Sequence, residues 1–97
     1  MNDQAEMKFK GLRALFINCT LTSSPGHSHT QLLIDASSDL MEKQGVSTDL
    51  IRLVDHDVAT GTWPDMREHG ADTDEWPELQ KRVMDADILV LAGPIWL

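Results

Sequence analysis

Hydroxyl side chains are crowded into one short segment that carries no charge. Six lie between positions 20 and 30: Thr20, Thr22, Ser23, Ser24, Ser28 and Thr30. Arg13 is the only charged side chain from Gly11 to Ile34. A bound phosphate needs hydroxyl and backbone N–H donors, the positive end of a helix and no opposing carboxylate nearby. The segment therefore predicts a phosphate site, although an ordinary loop with a capped helix explains one or two of the hydroxyls.

Cys19 and two histidines beside the hydroxyl segment could carry other chemistry. A cysteine-dependent phosphatase would need an arginine six positions after Cys19, where this chain has Pro25. We therefore interpret Cys19 as a small buried residue at a strand end. His27 and His29 are too few for a zinc site, which usually gathers three or four ligands, so we predict no metal. Neither G-x-x-x-x-G-K-[ST] nor G-x-G-x-x-G is present, which excludes the P-loop and the dinucleotide turn.

The charge of the chain restricts its partners. The formal net charge is −8, which disfavours nucleic acid and anionic membranes because both select clustered Lys and Arg. Eight of the sixteen acidic residues lie in Asp55–Glu78, beside the single base Arg67, and we interpret them as a solvated surface loop. No apolar run approaches the roughly 20 residues of a membrane span. One cysteine agrees with a reducing compartment, and we expect the cytoplasm.

Three short apolar runs predict strands. Leu12–Asn18 and Ile88–Ala92 are typical of strands buried on both faces of a parallel sheet, the second as a central strand, and Val46–Val54 resumes strand character. We interpret residues 1–11 as a flexible leader and residues 12–97 as the amino-terminal part of one domain. Three strands are few for a sheet, so we expect a truncated domain that neither folds stably nor acts alone.

The first helix is predicted between the first two strands. Ser28 or Thr30 can serve as its N-cap, and it ends near Gln44, where Gly45 suits a left-handed C-cap. Apolar residues at spacings of three and four predict its buried face: Leu32, Leu33, Ala36, Leu40 and Met41.

The second helix is predicted after a long connection. Asp55–Thr73 has no sustained period and is expected to be a surface loop without an element of its own. Asp74 can then cap a helix that ends near Asp87. Its buried face would hold Trp76, Leu79 and Val83.

The residues after the last strand suggest a second part of the site. In a parallel sheet of order 2-1-3, ligands bind where the carboxyl ends of strands one and three meet. The hydroxyl segment follows strand one, and strand three is followed by Pro94, Ile95, Trp96 and Leu97. We therefore expect one ligand with a phosphate at one end and a planar ring at the other.

Two segments together resemble a known family. LFINCTLTSSPGHSHTQLL, followed later by DILVLAGPIWL, is similar to the amino-terminal half of flavodoxin-fold NADPH-dependent FMN reductases. The resemblance implies an α/β fold, a flavodoxin-like three-layer doubly wound parallel sheet of which this chain has the first three of five strands. It also implies FMN as cofactor and NAD(P)H as co-substrate. By the family pattern, the FMN phosphate would be bound by Thr20, Ser28, His29 and Thr30. The loop Pro94, Ile95, Trp96 and Leu97 would border the isoalloxazine.

The resemblance implies an FMN-dependent NAD(P)H oxidoreductase. Hydride would pass to the flavin, and electrons would pass on to a small acceptor such as a quinone or flavin, so no side chain is named as catalytic. A flavodoxin-type electron-transfer protein without nicotinamide chemistry is the alternative, and a flavin-free fragment that pairs its sheet edge with another chain is a third interpretation. The acceptor, the NADH or NADPH preference and the oligomeric state, a homodimer included, stay open.

Overall fold

A three-stranded parallel sheet with a helix on each face forms the centre of the molecule. The computed structural model describes residues 8–94. In chain order its elements are β1 (Arg13–Asn18), α1 (His29–Lys43), β2 (Ser47–Arg52), two 3₁₀ turns (Leu53–Asp55 and Met66–His69), α2 (Trp76–Asp85) and β3 (Ile88–Ala92). The strands lie in the order β2-β1-β3 and pair in parallel. The predicted α/β fold and strand order are thus confirmed. Within the described range, no helix combines the length and apolar character needed to cross a bilayer.

β1 is buried on both faces because it has a strand on each side and a helix over each face. Its side chains alternate between two apolar clusters. On one face, Ala14 and Phe16 pack with Ile34 of α1 and Val46. On the other face the packed residues are Leu15, Ile17, Ile51 and Leu79. Continuous apolar sequence in β1 is what this two-sided burial requires.

β3 is less buried than its apolar sequence predicted. Among residues 8–94 it pairs with β1 alone, in the register Ala14–Ile88 to Asn18–Ala92. Leu89 and Leu91 are 48% and 69% exposed. β3 lies at the sheet edge within residues 8–94, as expected for the first three strands of a larger sheet, and its central position in that larger sheet stays a prediction.

The two ends of α1 confirm the local sequence signals. Ser28 is the N-cap, and its hydroxyl oxygen accepts a hydrogen bond from the Gln31 backbone N–H at 3.1 Å. The helix ends at Lys43 with Gln44 as C-cap, and Gly45 follows at φ +92°. A left-handed residue in this position is costly for any side chain with a Cβ, so glycine allows the chain to turn directly into β2.

The buried face of α1 differs from the prediction. Three of its predicted core leucines are exposed: Leu32, Leu33 and Leu40. Ile34 is 4% exposed and packs on the sheet, and of the predicted set only Met41 packs against the core. The side-chain amide of Asn18 donates to Gln31 at 3.0 Å. Gln31 is therefore directed toward the sheet, and Ile34 and Met41 lie on the same helical face.

β2 and the long connection are more structured than expected. β2 ends at Arg52 rather than Val54, because Leu53–Asp55 turns into a 3₁₀ helix. A second 3₁₀ turn, Met66–His69, lies inside the connection predicted to have no element. Asp65 caps this turn by accepting from the Arg67 backbone N–H, and Gly70 ends it at φ +104°.

Asp74 ties the connection to the start of α2. Its carboxylate accepts from the backbone N–H groups of Ala59 (3.2 Å), Met66 (3.0 Å) and Trp76 (3.0 Å). Glu75 precedes the helix without a capping side-chain hydrogen bond, and the side chain that accepts from the Trp76 N–H is that of Asp74, as predicted. The predicted buried face is confirmed, since Leu79 is in the core and Trp76 and Val83 pack against it. α2 ends at Asp85, slightly before Asp87.

Replacing Asp74 should loosen the connection. The backbone hydrogen bonds from Met66, Trp76 and Ala59 lower the pKa of Asp74. Its stabilising contribution is therefore complete above the ordinary carboxyl pKa of about 3.9 and is lost as the pH falls toward its lower folded value. Asp74→Asn, which presents an NH₂ group to N–H donors, should lower the free energy of unfolding in urea near pH 7. The difference from the wild type should shrink near pH 3.

Asp72→Asn is the matched control, because Asp72 is exposed in the same connection. It should leave the free energy of unfolding within about 0.5 kcal/mol of the wild-type value. Equal losses in the two variants would contradict an anchoring role for Asp74.

Candidate functional site

The hydroxyl segment and the loop after β3 begin side by side. Asn18 and Ala92 are register partners at the ends of β1 and β3, and the Cys19 backbone N–H donates to the Ala92 carbonyl at 2.8 Å. A Cβ built on Gly93 would lie 3.3 Å from the Cys19 Cβ, so a side chain at position 93 would crowd Cys19 where the two loops begin. Pro94 is exposed just beyond it. Its predicted companions Ile95, Trp96 and Leu97 lie outside the described residues.

A buried asparagine organises the start of the loop. Asn18 is 0% exposed. Its Oδ1 accepts from the Thr20 backbone N–H at 2.9 Å, while its Nδ2 donates to the Gln31 side chain at 3.0 Å. The Thr20 hydroxyl in turn accepts from the Thr22 backbone N–H at 3.4 Å. The end of β1, the loop and the first turn of α1 are thereby tied together, and neither Asn18 nor Gln31 was predicted as a site residue.

The start of α1 leaves two backbone donors without a partner among the described residues. Ser28 satisfies the N–H groups of Gln31 and Leu32 through its hydroxyl and its carbonyl. The N–H groups of His29 and Thr30 have no such acceptor. These donors stand at the positive end of a fifteen-residue helix. The donors of Ser28, His29 and Thr30 therefore fit a phosphate. Asn18 connects this end of the helix to Thr20, because it is hydrogen-bonded both to Gln31 and to the Thr20 N–H.

Cys19 is exposed, which makes the prediction of a buried cysteine wrong. The residues on either side, Asn18 and Thr20, are buried and hydrogen-bonded to each other. The Cys19 side chain between them lies at the surface. His27 and His29 are also exposed, and their rings meet edge to face with centroids 4.9 Å apart.

Two charged residues, at the end of β2 and in the 3₁₀ turn that follows it, contact the middle of the loop. Asp55 accepts from the Ser24 backbone N–H at 2.8 Å and from the Ser24 hydroxyl at 2.6 Å. Arg52 donates from Nη2 to the Gly26 carbonyl at 2.9 Å and from Nη1 to the Ser24 hydroxyl at 3.4 Å. Hydrogen bonds from Ser24 lower the pKa of Asp55, with a smaller contribution from the Arg52 charge.

This pair corrects the expectation that no carboxylate lies near the hydroxyl segment. The position of Arg52 and Asp55 in the sequence could have predicted this contact. In the order 2-1-3, β2 lies beside β1, and Arg52 is the register partner of Asn18. Charged residues at the end of β2 therefore reach the loop that follows β1.

The chain belongs to the NADPH-dependent FMN reductase family, whose model matches residues 13–97. The sequence resemblance is thus confirmed, and FMN and NADPH are the compounds for which the family is named. The match includes β1, the hydroxyl segment and β3, which are the elements that border the candidate site.

Two relatives and one solved structure are similar to the chain. It is 62% identical over 96 residues to a divalent metal cation transporter, MntH, of Mycobacterium bovis, covering 99% of this chain and 14% of that protein. It is 44% identical over 91 residues to 8-demethyl-8-aminoriboflavin-5'-phosphate synthase of Streptomyces davaonensis, covering 89% of this chain and 35% of the synthase. The chain thus spans only a small part of either relative.

The structural likeness is to RosB. Its crystal structure with the bound intermediate OHC-RP, 8-demethyl-8-formylriboflavin-5'-phosphate, gives a TM-score of 0.79 at 43% sequence identity. The likeness covers 90% of this chain and 36% of RosB. The three-stranded sheet is therefore shared with a flavin-related enzyme of greater length.

A carboxylate at the start of α1 should weaken FMN binding. Thr30→Asp would place a negative charge beside the unpartnered N–H groups, where it competes with the phosphate and repels it. We expect the dissociation constant for FMN, measured by fluorescence titration, to rise about tenfold or more. Ser37→Asp adds the same charge on an exposed position of the same helix and should have little effect. Unchanged FMN affinity in Thr30→Asp would reject this placement of the phosphate.

Proposed function

We propose that this chain forms the FMN-binding part of an NAD(P)H-dependent oxidoreductase whose acceptor is a small molecule such as a quinone or flavin. The observation that carries the proposal is the donor set at the start of α1, in a chain of the FMN reductase family. The unpartnered N–H groups of His29 and Thr30 follow directly after the Ser28 cap. FMN differs from riboflavin by the one group, a phosphate, that these donors suit.

The chain's own residues would bind and orient the flavin. Thr20, Ser28, His29 and Thr30 would donate to the phosphate, while Asn18 and Gln31 keep these donors in place. The loop Pro94, Ile95, Trp96 and Leu97 would border the isoalloxazine. The chemistry that FMN supplies when bound is electron transfer between the nicotinamide and a second acceptor. No side chain is assigned a catalytic proton transfer.

The net charge of −8 disfavours nucleic acid and anionic membranes as partners. We expect a cytoplasmic protein, and a homodimer is the assembly considered for the full-length protein. The similarity to the metal transporter concerns 14% of that protein, so transport is not part of the proposal.

A second candidate function follows from the RosB likeness. The synthase is named for a riboflavin 5'-phosphate altered at position 8, and RosB was solved with an 8-formyl intermediate. FMN is itself riboflavin 5'-phosphate, so the same phosphate donors would suit FMN as a substrate. In that case the flavin would leave the protein chemically changed, rather than reoxidised and unchanged.

One experiment separates the two candidates. The full-length protein that contains this chain is loaded with FMN and mixed anaerobically with NADPH or NADH. Bleaching of the flavin absorbance, followed by recovery of unmodified FMN when a quinone is added, supports the oxidoreductase. Mass spectrometry that finds FMN altered after aerobic incubation supports the second function. A protein that binds no FMN contradicts both.

Cys19 should be dispensable for the proposed reaction. It is exposed, and the described residues place no acid or base in hydrogen-bond contact with its Sγ. Cys19→Ser should therefore leave the rate of NADPH oxidation by the FMN-loaded protein within about twofold of wild type. A loss of roughly a thousandfold with flavin still bound, as expected for an essential nucleophile, would contradict this interpretation.

A further inference from the structure

Arg52 and Asp55 form hydrogen bonds with the hydroxyl segment at Ser24 and Gly26, and neither belongs to the predicted phosphate donors. We propose that they are positioning residues for the phosphate, and that their contacts make the protein select FMN over riboflavin. The inference rests on the proposed FMN function. Neither the sequence motifs nor the family resemblance gives Arg52 or Asp55 a role in phosphate binding.

The contacts converge on the short turn Ser24–Gly26. Asp55 takes both donors of Ser24, its N–H and its hydroxyl, and Arg52 donates to the acceptors on either side of Pro25. The Gly26 N–H donates to the Ser23 carbonyl at 2.8 Å, which closes the turn. A Cβ on Gly26 would lie 2.6 Å from the Thr22 side chain, so the turn is tightly folded. Two hydrogen bonds donated by Arg52, at the end of β2, and two accepted by Asp55, in the following 3₁₀ turn, thus hold the Ser24–Gly26 turn.

The Arg52 guanidinium is held in one orientation. Its Nε is buried and has no hydrogen-bond partner within the described part of the chain. The remaining nitrogens are turned toward the loop, and Asp55 supplies the opposite charge nearby. The side chain therefore makes its hydrogen bonds to the loop through Nη1 and Nη2. Arg52 also brings a positive charge to a loop that contains no Lys or Arg.

The turn held by Arg52 and Asp55 lies close in sequence to the proposed phosphate donors at the start of α1. The chain runs only from Gly26 to Ser28 before α1 begins. Asn18 fixes the other end at Thr20. Because Ser24 gives both of its donors to Asp55, they are not available to a ligand. Releasing the turn would let the loop move away from the phosphate without changing the contacts to the flavin ring.

The test compares two flavins that differ only in the phosphate. Dissociation constants for FMN and riboflavin are measured by fluorescence titration of the full-length apoprotein and its variants. Arg52→Met should weaken FMN binding about tenfold, as expected for the loss of charge-assisted hydrogen bonds, and change riboflavin binding less than about twofold. Asp55→Asn should act in the same direction with a smaller effect. Arg52→Lys should recover part of the loss, because an ammonium can still donate to the Gly26 carbonyl.

Arg82 and Asp49 provide matched controls. They form an ion pair with an Nη2–Oδ1 distance of 2.7 Å, and Asp49 lies on β2 as Arg52 does. Neither residue contacts the hydroxyl loop. Arg82→Met and Asp49→Asn remove the same groups and should leave the ratio of FMN to riboflavin affinity unchanged.

Two results would overturn the proposal: an unchanged affinity ratio in both Arg52→Met and Asp55→Asn, or equal losses for the two flavins, which indicate a purely structural role. Asp55→Asn preserves side-chain size and decides the matter if Arg52→Met does not fold. A wild-type protein that binds no FMN contradicts the proposed function and the inference together. A wild-type protein that binds FMN, with variants of unchanged selectivity, contradicts the inference alone.

Discussion

The burial of one polar side chain constrains the whole site. β1 is covered on both faces and paired on both edges, and its last residue, Asn18, is 0% exposed. A buried amide must find partners for its donor and acceptor or pay a large desolvation cost. Asn18 finds them in Thr20 and Gln31. The direction in which the loop leaves the sheet and the rotation of α1 about its axis therefore depend on the same side chain.

Elements with a signal close in sequence could be predicted. The Ser28 cap and Gly45 mark the ends of α1 because capping and a positive φ depend on the residue itself and its immediate neighbours. The apolar runs of β1 and β3 predict parallel strands because burial on two faces leaves no polar alternation. The alternation of strands and helices predicts the parallel sheet, and the order 2-1-3 is that of the flavodoxin-like fold.

Features that depend on distant partners were missed. The leucines of α1 suggest one buried face, yet the Asn18–Gln31 hydrogen bond directs another face, with Ile34, toward the sheet. Hydrophobic periodicity carries no information about a polar contact across thirteen positions. The same reason explains Arg52 and Asp55, whose partners lie in a loop that only the sheet order brings near. In each case a hydrogen bond between distant residues decided the arrangement.

The chain has a net charge of −8, and several of its carboxylates accept hydrogen bonds from donors within the protein. Asp74 accepts three backbone N–H groups, Asp65 pairs with Arg67 at 2.9 Å, and Asp55 takes both donors of Ser24. Each of these carboxyls has a lowered pKa, so they keep their charge but direct it at donors within the protein. Asp55, the carboxylate beside the hydroxyl segment, is hydrogen-bonded to Ser24, while the N–H groups of His29 and Thr30 have no acceptor among residues 8–94. The proposed phosphate would therefore find donors at the start of α1 that this carboxylate does not occupy.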